Sequence, residues 1–172
     1  MPFFPSLPAD AGIGHLFNIK PGHRDGFGKF SEAVMRDDSV FSVAERELIA
    51  AFTSALNSCD YCYGGHSAIA RQHGVEEGVF ESLVDDIDMA PVDTKLKPIL
   101  RFVRKLTLEP YKMTKSDADA VFAAGWDEEG LADAIWICAR FNMMNRLSLG
   151  HGLEADPEAF EARAKAMEYA KK

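Results

Sequence analysis

Cys59, Cys62 and His66 fall at i, i+3 and i+7 in the run Cys59-Asp-Tyr-Cys62-Tyr-Gly-Gly-His66. On a helix turning about 100° per residue, the outer two are separated by about 20° and Cys62 lies within about 60° of either, so the three share one face. With Ser58 as N-cap, Cys59 is expected in the first turn, where free N–H groups and the helix dipole stabilise a thiolate. Cys62 is close enough to pair with it as a disulfide, and His66 reaches the Cys62 sulfur directly or through a water. The set suits a thiolate that attacks an oxidised substrate while a second thiol resolves the product. Glu47 stands 12 residues before Cys59. If its helix packs antiparallel to the cysteine helix across Asn57-Ser58, Glu47 and His66 lie at comparable distances from the turn. A carboxylate on one imidazole nitrogen would orient the ring and raise the basicity of the other, making a proton relay. Glu45, the competing acid, is already accounted for by a capping box with Ser42.

Other uses of these residue types are weaker. CxxC with a following His is half a zinc site, but a second CxxC or HxxxH is missing; a fourth ligand would have to come from His73, His151 or Cys138. No metal and no cofactor is therefore expected. Cys138, amid Ile135, Trp136 and Phe141, reads as a small buried hydrophobe. His15, His23 and His73 read as surface or turn residues, and His151, between two glycines, as the end of a helix. For Asn145-Arg146, pairing of the arginine with the surplus carboxylates is the simpler account. Gly12-Ile-Gly14 lacks the third glycine and preceding strand of a dinucleotide loop.

The elements that must position these groups are helices. Eight prolines stand at 2, 5, 8, 21, 91, 98, 110 and 157, leaving two long proline-free intervals filled by helical periodicity. The expected segments are 27–35, a helix opened by Ser42 and ending near Asn57-Ser58, and 59–73 stopped by Gly74. Further on come 76–84, 99–106 with Pro98 at its start, a short helix from Thr114 to about Gly125, the longest from 128 to 149, and a polar helix over about 157–170. β-branched alternation is absent. The expectation is an all-α, single-domain helical bundle over 1–172, its redox core at about 43–74 and a second helical half at about 93–150.

Composition narrows the partners. The chain of 172 residues carries 19 Lys+Arg against 27 Asp+Glu, a formal net charge of -8. That argues against nucleic acid or an anionic membrane surface, and gives no overall field attracting an anionic substrate. Three cysteines are too few for a secreted disulfide framework. Residues 1–8 lack the basic start of a signal peptide, and no stretch is long enough for a membrane helix. A cytoplasmic protein with reduced thiols is expected.

The run from Glu45 to His66 resembles the core of the alkylhydroperoxidase D family, within the carboxymuconolactone decarboxylase superfamily. The opening Phe-Pro-Ser-Leu-Pro8, the Asn57-Ser-Cys59 junction and Asn142-Met-Met-Asn145-Arg146 look like its peroxidase-related branch. The resemblance implies an all-helical fold, homo-oligomers (commonly trimers or hexamers) and thiol-dependent reduction of small or alkyl hydroperoxides by a peroxiredoxin-type oxidoreductase. It implies Cys62 as the peroxidatic and Cys59 as the resolving cysteine, with His66 and Glu47 as the proton relay and a dithiol or lipoyl-type carrier as reductant. Well-studied peroxidases of the family have a histidine directly before the second cysteine. Here Tyr61 stands there: either the relay is one member shorter, or the tyrosine hydroxyl takes the place of that histidine. Two alternatives are an acid–base decarboxylase of acidic lactones, which needs no cysteine pair, and a non-catalytic redox or zinc-binding oligomer.

Overall fold

The structure, a computed structural model, describes residues 1–166; its helices are α1 Ile13–Ile19, α2 Arg24–Arg36, α3 Val43–Leu56, α4 Asp60–Gln72, α5 Val79–Asp85, α6 Leu96–Leu108, α7 Lys115–Ala123, α8 Glu128–His151 and α9 Pro157–Ala166. Short 3₁₀ turns at Pro21–His23 and Pro110–Lys112 precede α2 and α7. No strand occurs among the described residues, and the fold is all-α. None of these helices is long and apolar enough to cross a membrane. The expected last helix ran to about residue 170; its end lies outside the described residues. α1 was not anticipated, being a short segment with a glycine N-cap.

α3 is the axis of the molecule. Every residue from Arg46 to Ser54 is buried, and α4, α5, α6 and α8 pack around it. The run Leu48-Ile-Ala-Ala-Phe52 supplies apolar surface on all sides, as a helix with no solvent face requires. Its two hydroxyls are satisfied within the helix: Thr53 Oγ1 donates to the Ile49 carbonyl and Ser54 Oγ to that of Ala50, each at 2.8 Å. At the N-terminus the Ser42–Glu45 capping box forms in both directions. One continuous core runs from Met35 and Phe41 through α3 to Phe141 and Met144 on α8.

The α3–α4 joint differs from expectation. Ser58 is not an N-cap: it takes the left-handed conformation with φ 51° and reverses the chain, while Cys59 caps α4. A left-handed serine is costly and persists where the surroundings determine it. The one-residue shift puts Cys62, not Cys59, in the first turn of α4.

Later elements follow the sequence reading closely. α6 starts at Leu96, so Pro98 sits in its first turn, where a missing N–H is harmless. Gly74, Gly125 and Gly152 all have positive φ where α4, α7 and α8 end. α8 leaves a face open: Trp136 (56% exposed), Met143 and Leu147 project outward at helical spacing.

Candidate active site

Glu47 lies at the first third of α3, fully buried, between His66 and Arg36. One carboxylate oxygen, Oε2, meets His66 Nδ1 at 2.5 Å, and the other accepts a hydrogen bond from Arg36 Nη2. The antiparallel α3–α4 pairing brings Glu47 and His66 together across the short joint, as the spacing had suggested. Burial by itself would push the carboxyl up; the charge and hydrogen bond of His66, then those of Arg36, overcome this and hold it at about 2. Glu47 is thus a fixed anion. The imidazole is held from the other side by Phe141, its ring centroid 4.4 Å away in an edge-on arrangement.

The two motif thiols are free and differ sharply. Cys62 Sγ lies 3.3 Å from Ser148 Oγ on α8. A hydrogen bond from Cys59, followed by that from Ser148, the His66 charge and Asn145, outweighs burial and lowers the Cys62 thiol to about 6. Cys59 moves the opposite way: serving as donor to Cys62, and being buried, it is pushed well above the usual thiol range. Cys62 is 5% exposed and lines a cavity of about 260 Å³ together with Glu47 and His66. Cys59, 1% exposed, stands behind it and is not part of the cavity lining.

Tyr61 occupies the cavity wall, but its hydroxyl turns away from the Glu47–His66 pair and accepts the Ile13 N–H at 2.9 Å. Its ring stands edge-on to Phe160. In this arrangement the tyrosine ties α1 to α4, and the second partner of Glu47 is Arg36. Gly64 permits the close approach of α9, since a Cβ there would come within 2.8 Å of the Phe160 ring.

Sequence reasoning missed the contribution of α8. Asn145, fully buried, donates to Ser54 Oγ at 3.0 Å and accepts from Asn57 Nδ2 at 2.9 Å. Asn57 also reaches Asn142 at 3.2 Å, and Asn142 approaches Cys138. A polar seam therefore runs through the α3–α8 contact from Cys62 to Cys138. Arg146 bonds to the carbonyl and side-chain oxygens of Asn142 at 2.6 and 3.0 Å, so the expected pairing with a carboxylate is replaced by a role at the end of this seam. Among the described residues, no three His, Cys, Asp or Glu side chains are grouped to hold a metal ion. Cys138 bonds instead to Thr107, and His151 Nδ1 lies 2.7 Å from the Leu147 carbonyl.

The Carboxymuconolactone decarboxylase family matches residues 21–88, which hold Glu47, both motif cysteines and His66. Two solved structures share the fold over most of their length. A peroxidase-related protein from a Silicibacter species superimposes with a TM-score of 0.77 at 25% identity, over 85% of this chain and 76% of that one. The alkylhydroperoxidase AhpD core protein of Ralstonia eutropha, also described as peroxidase-related, gives 0.77 at 25% identity, over 87% and 78%. The sequence match over residues 21–88 and the shared fold relate this chain to the alkylhydroperoxidase D and carboxymuconolactone decarboxylase proteins. The Bacillus subtilis protein YdfG is 28% identical over 110 residues, 64% of this chain and 75% of the relative.

Proposed function

We propose that the protein reduces organic hydroperoxides, with Cys62 as the attacking thiol, Cys59 as the resolving thiol and Glu47–His66 as the proton relay. The observation that carries this reading is the asymmetry of the pair. Cys62 faces the cavity with a thiol lowered to about 6, next to His66, while Cys59 lies behind it as a protonated donor. In the first step the Cys62 thiolate attacks the terminal peroxide oxygen. The S–O bond forms as the O–O bond breaks, and the departing alkoxide takes a proton from the imidazolium of His66. The products are Cys62 sulfenic acid and an alcohol. The Cys59 sulfur then attacks the sulfenic sulfur, giving the disulfide and releasing water with the Cys59 proton. A dithiol, oxidised in turn to its own disulfide, returns both cysteines to thiols.

Peroxide consumption by the reduced protein, with dimedone trapping, tests this. Cys62→Ser loses consumption, and Cys59→Ser accumulates a dimedone adduct on Cys62; full turnover by Cys62→Ser overturns the proposal. The acid–base decarboxylase alternative would instead show turnover insensitive to thiol alkylation. The exposed Trp136, Met143 and Leu147 face supports assembly of several copies through α8. Light scattering on wild type and Trp136→Glu tests that assembly, with a lower mass expected for the variant.

A further inference from the structure

The cavity in front of Cys62 opens between two helices. Its exposed lining residues are Gly28 and Glu32 on α2 and Arg163 on α9, while Met35, Cys62 and Met144 are buried at its floor. A group that reaches the sulfur therefore passes α9, whose buried lining residues are Phe160 and Ala164. The Phe160 ring is seated on the glycine pair between Cys62 and His66. A Cβ on Gly64 would come within 2.8 Å of two ring carbons, and one on Gly65 would stand 3.9 Å from the opposite edge of the ring. Glycine is unfavourable inside a helix, and at Gly64 the close approach of this ring is the reason for it. Tyr61 meets the ring edge-on, with 5.3 Å between centroids. Ala68, Ile69 and Ala164 complete the seat, and the Arg71–Glu161 ion pair ties the same stretch of α9 to α4.

We infer that Phe160 is a specificity-determining residue: its ring sets the upper size of the hydroperoxide that Cys62 accepts. A volume of about 260 Å³ is small for a ligand site, so one fixed ring decides what fits. The ring cannot retreat toward α4, because it already lies on the backbone of Gly64, and close-packed side chains resist displacement. Attack needs the terminal peroxide oxygen within about 3.5 Å of the sulfur. A compact carbon skeleton behind that oxygen fits in front of the ring. A broader one meets the ring before the oxygen arrives, and the loss appears in kcat/KM because it falls on the transition state.

The inference rests on Cys62 being the reacting thiol, and the test separates the two. Reduced wild type, Phe160→Ala and Phe160→Leu are labelled at Cys62 with N-methylmaleimide or N-phenylmaleimide, and assayed with tert-butyl or cumene hydroperoxide. Both members of each pair meet the same sulfur by the same chemistry, so their ratio cancels changes in thiol reactivity and reads space. In Phe160→Ala the bulky-to-compact ratio should rise about tenfold, for labelling and for kcat/KM alike. Phe160→Leu keeps an apolar side chain in the seat and should rise by a smaller factor. Both variants should fold, since Phe160 belongs to a small cluster apart from the main core. Ratios equal to wild type in both variants, with peroxide still consumed, overturn the size limit and leave the peroxidase reading standing. A raised labelling ratio with neither peroxide consumed by any form supports the size limit and overturns the peroxidase reading instead.

Discussion

Cys62 and Cys138 sit at opposite ends of one buried polar seam, and their thiols move in opposite directions. Both are almost inaccessible and both touch a hydroxyl at 3.3 Å, Ser148 for Cys62 and Thr107 for Cys138. Burial raises Cys138, and its neutral partners Thr107 and Asn142 fail to offset that. Cys62 has in addition a second thiol donating to it and the charge of His66, which Glu47 anchors. Burial does not by itself make a thiol inert or reactive. A fixed charge and an extra donor within reach decide the sign.

The strongest way to break this contrast is to remove the charge at its root. Glu47→Gln leaves Arg36 and His66 without their shared anion in a mostly buried site. A loss of about 3 kcal/mol in unfolding free energy is expected, at the low end for a broken buried pair because both partners of the carboxylate are partly exposed. The sign with pH is fixed by the depressed carboxyl. Held at about 2 when folded against 4.5 otherwise, Glu47 stabilises the wild type fully above pH 4.5 and loses that contribution as pH falls toward 2. The acid arm of the stability profile should therefore flatten in Glu47→Gln. A variant as stable as wild type at pH 7 in urea melts would show that the carboxylate is not doing this.

Next comes the contrast itself, read as reactivity. At pH 7 a thiol at about 6 is roughly nine-tenths thiolate, whereas one above 9.0 is less than about a hundredth. Iodoacetamide with peptide mapping should label Cys62 about a hundredfold faster than Cys138, and labelling of Cys62 should fall off as pH drops through about 6. Similar rates for the two cysteines would erase the distinction.

The helices were legible in the sequence because their signals are local. The Ser42–Glu45 box, the glycines after α4, α7 and α8, and the periodicity of α3 all act within a few residues. The Glu47–His66 contact was legible for a related reason: a two-helix hairpin with a short joint converts spacing along the chain into proximity. Arg36, Ser148, Arg140 and Arg163 come from α2, α8 and α9, and no spacing rule reaches that far. Net charge is blind to position in the same way, since a sum over the chain says nothing of Arg36, Arg140 and Arg163 gathered round one cavity. At the joint, Ser58 has the chemistry of an N-cap, and the tight reversal between two packed helices overrode that preference.

Ser148→Ala sharpens the comparison at the reactive end. It removes one donor to Cys62 and keeps Cys59, His66 and Glu47 in place, so the thiolate loses only part of its support. A hydrogen bond to a charged group is worth roughly 1.5 kcal/mol or more, which corresponds to a rise of about one pH unit in the midpoint of Cys62 alkylation. An unmoved midpoint would assign the lowered thiol to the α4 residues alone.

Cys138→Ala should have the smallest effect, and that follows from the connections of the seam. Asn142 Nδ2 still donates to the residue-138 carbonyl, 3.1 Å away, and to Thr107 Oγ1 at 3.4 Å, so losing the sulfur strands neither partner. What remains is a small void in a closed core, costing about 1 kcal/mol. Between Cys138 and Cys62 the seam consists of neutral amides and hydroxyls, which transmit no charge. The Cys62 alkylation midpoint and the rate of peroxide consumption should therefore match wild type. A shift in either would make the seam a functional connection between the two cysteines rather than a packing device shared by them.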